Sequence, residues 1–190
     1  HLAQQHPRLA SFASQHIRHK NPTVAATAAT MMLRARCDVT ANYAMDGLAH
    51  PDAAVRRAVA SGVLEAAMSS PDIGLVDSLL EHVSGAEPDV VLAASVVRRV
   101  GQLGWLGAAG RLQAIVSATK TPELVRLEAE VALARITGEV PPKSIRPLLA
   151  SKSPWKRLCA ARIAAAGMTR RGASAAQWLK PLLTDHRKAN

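Results

Sequence analysis

Aromatic residues are nearly missing from this chain: three Trp, one Tyr and one Phe make up 3% of its 190 residues. Strand-built cores lean on aromatic and β-branched side chains. Their scarcity beside a 48% hydrophobic content, much of it alanine, points away from sheets and towards closely packed helices with small contact residues. Cysteine is scarce too. Cys37 and Cys159 are the two present, far apart and in different predicted hairpins, so no disulfide is expected and a reducing, cytoplasmic setting is. No run of eighteen apolar residues occurs, so no membrane span is expected. The opening His1-Leu2-Ala3 is no secretory signal, and the missing initiator methionine suggests a processed chain or a piece of a longer one.

Patterns that carry chemistry are equally thin. His16 and His19 are three apart on one predicted helix face, yet His-x-x-His without a further Cys, His or carboxylate is not a zinc site, and no metal is assigned. Gly101 to Gly110, GQLGWLGAAG, follows a helical stripe rather than a strand and lacks the lysine of a phosphate loop, which reads as a turn with close helix contacts. Ser11, Ser14 and Ser61 have no histidine and acid at a recognisable spacing. No catalytic residue and no cofactor is expected.

What the chain does contain is one pattern, repeated. Thr121 to Gly138, TPELVRLEAEVALARITG, places Val125, Ala129, Ala132, Leu133 and Ile136 at i, i+4, i+7, i+8 and i+11, one face of an α-helix. Thr121 is suited to cap it, Pro122 to its first position, Glu123 to the positive end of its dipole and Gly138 to its close. His50 to Ala66 repeats the offsets through Val55-Arg56, Val59, Gly62, Val63 and Ala66. Asn21 to Ala35 repeats them through Val24, Ala28, Met31, Met32 and Ala35, with Ala25 in place of the arginine seen at 56 and 126. Lys152 to Ala166 aligns Trp155-Lys156, Cys159, Ile163 and Ala166, with Arg162 breaking the stripe, and the stretch after Pro88-Asp89 keeps Leu92, Val96, Val100 and Leu103. The prolines 22, 51, 88, 122 and 154 are spaced by 29 to 37 residues, a period that means stacked helical units. Shorter apolar-periodic segments between them supply the partner helices, about eleven in all with a closing helix over 173–183. Val55, Val63, Val125, Leu133, Ile136 and Ile163 are expected to be buried, and Trp155, at a template valine position, to be packed.

These residues resemble the HEAT family of repeats, in particular the short HEAT-like repeats of the phycobilisome-lyase type, whose second helix commonly reads Asp-x-x-Val-Arg-x-x-Ala-x-x-Ala-Leu. Val125, Arg126, Ala129, Ala132 and Leu133 match that pattern, and Asp52, Val55 and Arg56 match its beginning. The resemblance implies an all-α fold, a right-handed α-solenoid of about five HEAT-like helical hairpins, forming a single domain over residues 1–190. It also implies that Arg56, Arg126 and Lys156, after the template valines, bond the turns and acidic side chains of adjacent repeats. Asp52, Asp89 and Glu123 stand at helix starts, where an acid serves free backbone N–H groups.

Charge is distributed unevenly. Residues 1–36, 37–142 and 143–190 sum to +5, −5 and +10, and the last segment holds a single acidic residue. Lys156, Arg157, Arg162, Arg170 and Arg171 are its candidate binding residues, for an anion or for a partner surface. Two classes of function follow. The leading expectation is a noncatalytic scaffold that offers a concave helical surface to a protein or peptide. The alternative is nucleic-acid binding, nonspecific in sequence, in the style of the HEAT-like alkylpurine DNA glycosylases, although no glycosylase motif matches residue by residue. A bilin lyase shares the repeat type without any residue here to mark a chromophore pocket, and the His-Glu pairs of the HEAT-like di-iron hydroxylases are missing.

Overall fold

The computed structural model describes residues 11, 13, 15–34, 40–69, 73–85, 89–140 and 142–171. Among them the chain is helical throughout, with no strand. After helical residues up to His16 come α1 (Pro22–Arg34), α2 (Thr40–Leu48), α3 (Ala53–Ser69), α4 (Ile73–Gly85) and α5 (Val90–Leu103). A 3-10 turn (Leu106–Ala108) then leads to α6 (Ala109–Ser117), α7 (Glu123–Thr137), α8 (Pro142–Leu149) and α9 (Pro154–Arg171). Two compact units divide the chain, His1–Val96 and Val97–Asn190, and α5 runs from one into the other. Cys37 and the expected closing helix over 173–183 lie outside the described residues.

Each template segment becomes a helix that opens beside its proline: α1 and α9 begin on Pro22 and Pro154, α7 just after Pro122, and α3 and α5 two residues after Pro51 and Pro88. The turns before three of them share one construction. The residue two before the cap accepts the cap's backbone N–H through its side chain: His19 Nδ1 takes it from Asn21 at 3.0 Å, His50 Nδ1 from Asp52 at 3.0 Å, and Ser151 Oγ from Ser153 at 3.2 Å. Asn21 Oδ1 and Asp52 Oδ1 then accept the N–H two residues on, at 2.9 and 2.7 Å, the standard satisfaction of an orphan helix donor. Asp89 does the same with Oδ1 for Val91 and Leu92, at 3.0 and 3.1 Å. Helix α7 differs: its cap is Pro122 rather than Thr121, and the cap makes no side-chain bond. Its other end is as expected, since Gly138 takes the left-handed conformation (φ 74°) and donates its N–H to the Ala134 carbonyl at 2.9 Å.

This shared turn also corrects the alignment of the last copy. Arg56 Nη1 donates to the His50 and Pro51 carbonyls, at 2.9 and 2.7 Å. It is Arg157, not Lys156, that makes the corresponding pair, donating to the Ser151 and Lys152 carbonyls at 2.9 and 3.1 Å. The register is therefore one residue later than the valine template places it. Trp155 falls at the place of exposed Ala54, and it is 37% exposed rather than packed.

In the first unit α1 packs on α3, with α2 and α4 also against α3. Leu48, Val55, Val59, Val63, Leu79 and Leu80 are fully buried there. In the second unit α7 is the middle element, packed on α6 and on α9, while α8 packs on α9. A helix held on two sides needs two apolar stripes. Val125, Ala129, Ala132 and Ile136 form the expected one, and Leu127, Val131 and Ala134 form a second, both buried. Val131 and Ala134 share a cluster with Ile145 of α8 and Ala160, Ile163 and Ala164 of α9. Leu133, expected in the core, is only half-buried, because it lies between the stripes. Val55, Val63, Val125, Ile136 and Ile163 are buried as expected. Near its end α5 approaches α7 closely: a Cβ built on Gly101 would lie 2.7 Å from the Ala132 Cα. Such contacts leave no room for larger residues.

Leu127→Ala should therefore destabilise by roughly 2–5 kcal/mol, the lost transfer energy plus a cavity. Leu133→Ala should cost clearly less, under about 2 kcal/mol. Urea titrations of the two variants check this, and the reverse order would place α7 in the wrong rotation.

Candidate functional site

Helix α7 carries a glutamate in the middle of its apolar sequence, between Leu127 and Ala129, and Glu128 is 0% exposed. An isolated carboxylate there would carry a heavy desolvation penalty. Two arginines remove it. From α5, Arg98 donates through Nε and Nη2 to Oε2 and Oε1 at 3.2 and 2.8 Å. From α9, Arg162 donates through Nη1 and Nη2 to Oε1 and Oε2 at 2.6 and 2.9 Å. Both are two-pronged guanidinium–carboxylate contacts, the strong charge-assisted kind. Burial pushes the Glu128 carboxyl up, but the bonds and charges of Arg162 and Arg98 outweigh it and leave the pKa below the ordinary 4.5. The triad keeps one net positive charge, with the Arg98 and Arg162 side chains 45% and 26% exposed.

A second link joins α7 and α9 in their first turns, where Lys156 Nζ meets Glu123 Oε1 at 2.6 Å. Taken in order, Glu123–Lys156 and Glu128–Arg162 show that α7 and α9 run in the same direction; Arg98–Glu128 and Gly101 against Ala132 show the same for the end of α5 and α7. In the first unit Arg57 of α3 bonds Asp89 at the start of α5, with Nε at 3.1 Å, and Arg18 bonds Asp46 at 2.7 Å. The Arg57 hydrogen bond holds the Asp89 carboxyl below its ordinary value, helped by the N–H of Leu92. These pairs join residues 28 to 34 apart, the length of the repeat itself.

Three of the five candidate cations are engaged within the chain. Lys156 is paired with Glu123, Arg157 holds its own turn, and Arg162 is bound to Glu128. Arg170 and Arg171 close α9, and their side chains lie outside the described residues. Arg126, expected to bond a turn or a neighbour's acid, meets Glu123 of its own helix, at 3.9 Å. Sequence reasoning missed Arg98 and Glu128. The signal was present as a glutamate interrupting an alanine-rich stripe, with arginines 30 residues before and 34 after it.

Beside the triad, Cys159 is a free, fully buried thiol whose pKa is pushed up to about 11 by burial first and by the Glu128 charge next. Glu130 is raised by burial, and its Oε2 is buried without a hydrogen-bond partner. Two exposed apolar residues of α9, Trp155 at 37% and Leu158 at 52%, precede Arg162 at helical spacing. In the first unit a groove of about 230 Å³ lies between Ala13 and His16 on one side and Val24, Thr27 and Met31 on the other. His16 stacks on His19 with ring centres 6.0 Å apart. Among the described residues no group of three His, Cys, Asp or Glu side chains is placed to hold a metal ion, and no helix is long and apolar enough to cross a membrane. Compared with known protein families and with curated proteins, the chain matches none.

Two outcomes follow. A carboxyl with a lowered folded pKa stabilises fully above its unfolded value, and that contribution is lost as pH falls through the folded one; for Glu128 the loss begins below about 4.5. Glu128→Gln should cost about 2–3 kcal/mol at neutral pH, less than the roughly 3–5 kcal/mol of a wholly buried broken pair, and should flatten the acid limb of the stability–pH profile measured by urea unfolding. In a Cys37→Ser background, Cys159 should react with a thiol reagent at pH 8 only at the rate of unfolding. Fast labelling of the native protein would mean that the face of α9 carrying Cys159 is not buried.

Proposed function

We propose that the chain is a noncatalytic interaction scaffold, a right-handed α-solenoid of HEAT-like hairpins that presents its proline-opened helices to a protein or peptide partner. The observation that carries this reading is the set of charged pairs spaced by one repeat, Arg57–Asp89, Arg98–Glu128 and Glu128–Arg162. Units that cannot bury their own apolar faces must be fixed to their neighbours, and these pairs do that between successive helices of the same kind. The shared turn of His50, Asp52 and Arg56 and of Ser151, Ser153 and Arg157 supports the repeat in its details. The free thiol of Cys159 fits a reducing cytoplasm.

The same geometry weighs against a nucleic-acid groove. Phosphate binding draws on rows of uncommitted cations, and Lys156 and Arg157 are engaged within the chain while Arg98 and Arg162 share one carboxylate and keep a single net charge between them. Fluorescence anisotropy with duplex DNA and with single-stranded RNA tests the reading. Weak, sequence-independent binding that fades as salt rises, with a log–log slope of about 0.9 per phosphate contact, or no binding at all, is expected. Tight binding that survives high salt and prefers one sequence or a damaged base would overturn it.

A further inference from the structure

The Arg98–Glu128–Arg162 triad does more than join helices. Each guanidinium has five N–H donors and commits one from each of two nitrogens to Glu128, which leaves Arg98 Nη1 and Arg162 Nε without an acceptor among the described residues. The two heads are thus held in place by a carboxylate that no solvent reaches, with donors to spare and one positive charge in excess. Cations fixed in this way have already lost the rotamer freedom that a flexible lysine would lose on binding.

Along the same face of α9, Trp155, Leu158 and Arg162 stand at i, i+3 and i+7, and the first two are 37% and 52% exposed. An exposed Trp and Leu beside a fixed positive charge make a surface that is apolar at one end and carboxylate-seeking at the other. We propose that this face of α9, with Arg98 and Arg162, docks an acidic amphipathic helix, its leucine-like side chains on Trp155 and Leu158 and its carboxylates on the two guanidiniums. The inference rests on the scaffold reading and names the partner's chemistry. An acidic peptide is favoured over nucleic acid because the site offers one net charge rather than a row of cations for a phosphate backbone.

The probe is a fluorescein-labelled helical peptide with glutamates on one face and leucines on the other, measured by anisotropy against the whole chain, with its glutamine twin and a short duplex DNA as comparisons. The glutamate peptide should bind; the glutamine twin should bind at least about tenfold more weakly, a difference of about 1.4 kcal/mol. Leu158→Glu, at an exposed position, should weaken the glutamate peptide by at least the same factor without changing the melting temperature. Equal binding of the two peptides, or equal binding by wild type and Leu158→Glu, would overturn this surface and leave the scaffold reading intact. No peptide binding together with tight, sequence-preferring duplex binding would overturn both. No binding of any probe overturns the docking inference alone.

Discussion

Glu128 sits where the packing of three helices leaves no water, and its charge persists because Arg98 and Arg162 reach it from the helices on either side. Removing Glu128 leaves two arginines facing each other, and removing either arginine leaves the buried carboxylate with one partner instead of two, so a slide of one helix past another breaks a two-pronged contact. Apolar contacts would not impose this. The cluster of Val131, Ala134, Ile145, Ala160, Ile163 and Ala164 is rich in small residues, and a surface of alanines is nearly the same after a shift of register. The charged link supplies the specificity, as a buried polar group does best when every member of the network is satisfied.

The same division of labour recurs elsewhere among the described residues. Small residues let helices approach closely, as at Gly101 and Ala132, and charged pairs one repeat apart decide which approach is used. Arg57–Asp89 repeats the device in the first unit, where the aspartate is also the cap of the helix it joins. A single residue thus starts a helix and fixes its neighbour. Basic residues that look like a reserve of free charge when counted along the sequence are, at Lys156, Arg157 and Arg162, parts of this framework.

The helices were legible because their signals are local: the apolar period, the prolines and the capping acids all act within a few residues. The glycine-rich stretch from Gly101 to Gly110 was legible for the same reason, with Gly104 in the left-handed conformation and Gly101 against Ala132. Rotation was harder to read. Leu133 and Trp155 were assigned to the core by a template that cannot show which helix flanks which side, and the one-residue shift at α9 becomes visible only in the carbonyls that Arg157 holds. The triad could not be read at all from local pattern, since its members lie 30 and 34 residues apart and each taken alone looks like a flaw in a stripe.

Whether the triad acts as one unit is best tested by a double-mutant cycle between Arg98 and Arg162, each changed to methionine, in wild-type and in Glu128→Gln backgrounds. The two arginines are joined through Glu128. The structure predicts a coupling energy well above about 0.5 kcal/mol in the wild-type background that disappears when Glu128 is neutral. Additive effects in the wild-type background would contradict it, since the helices would then be held in register by apolar packing alone.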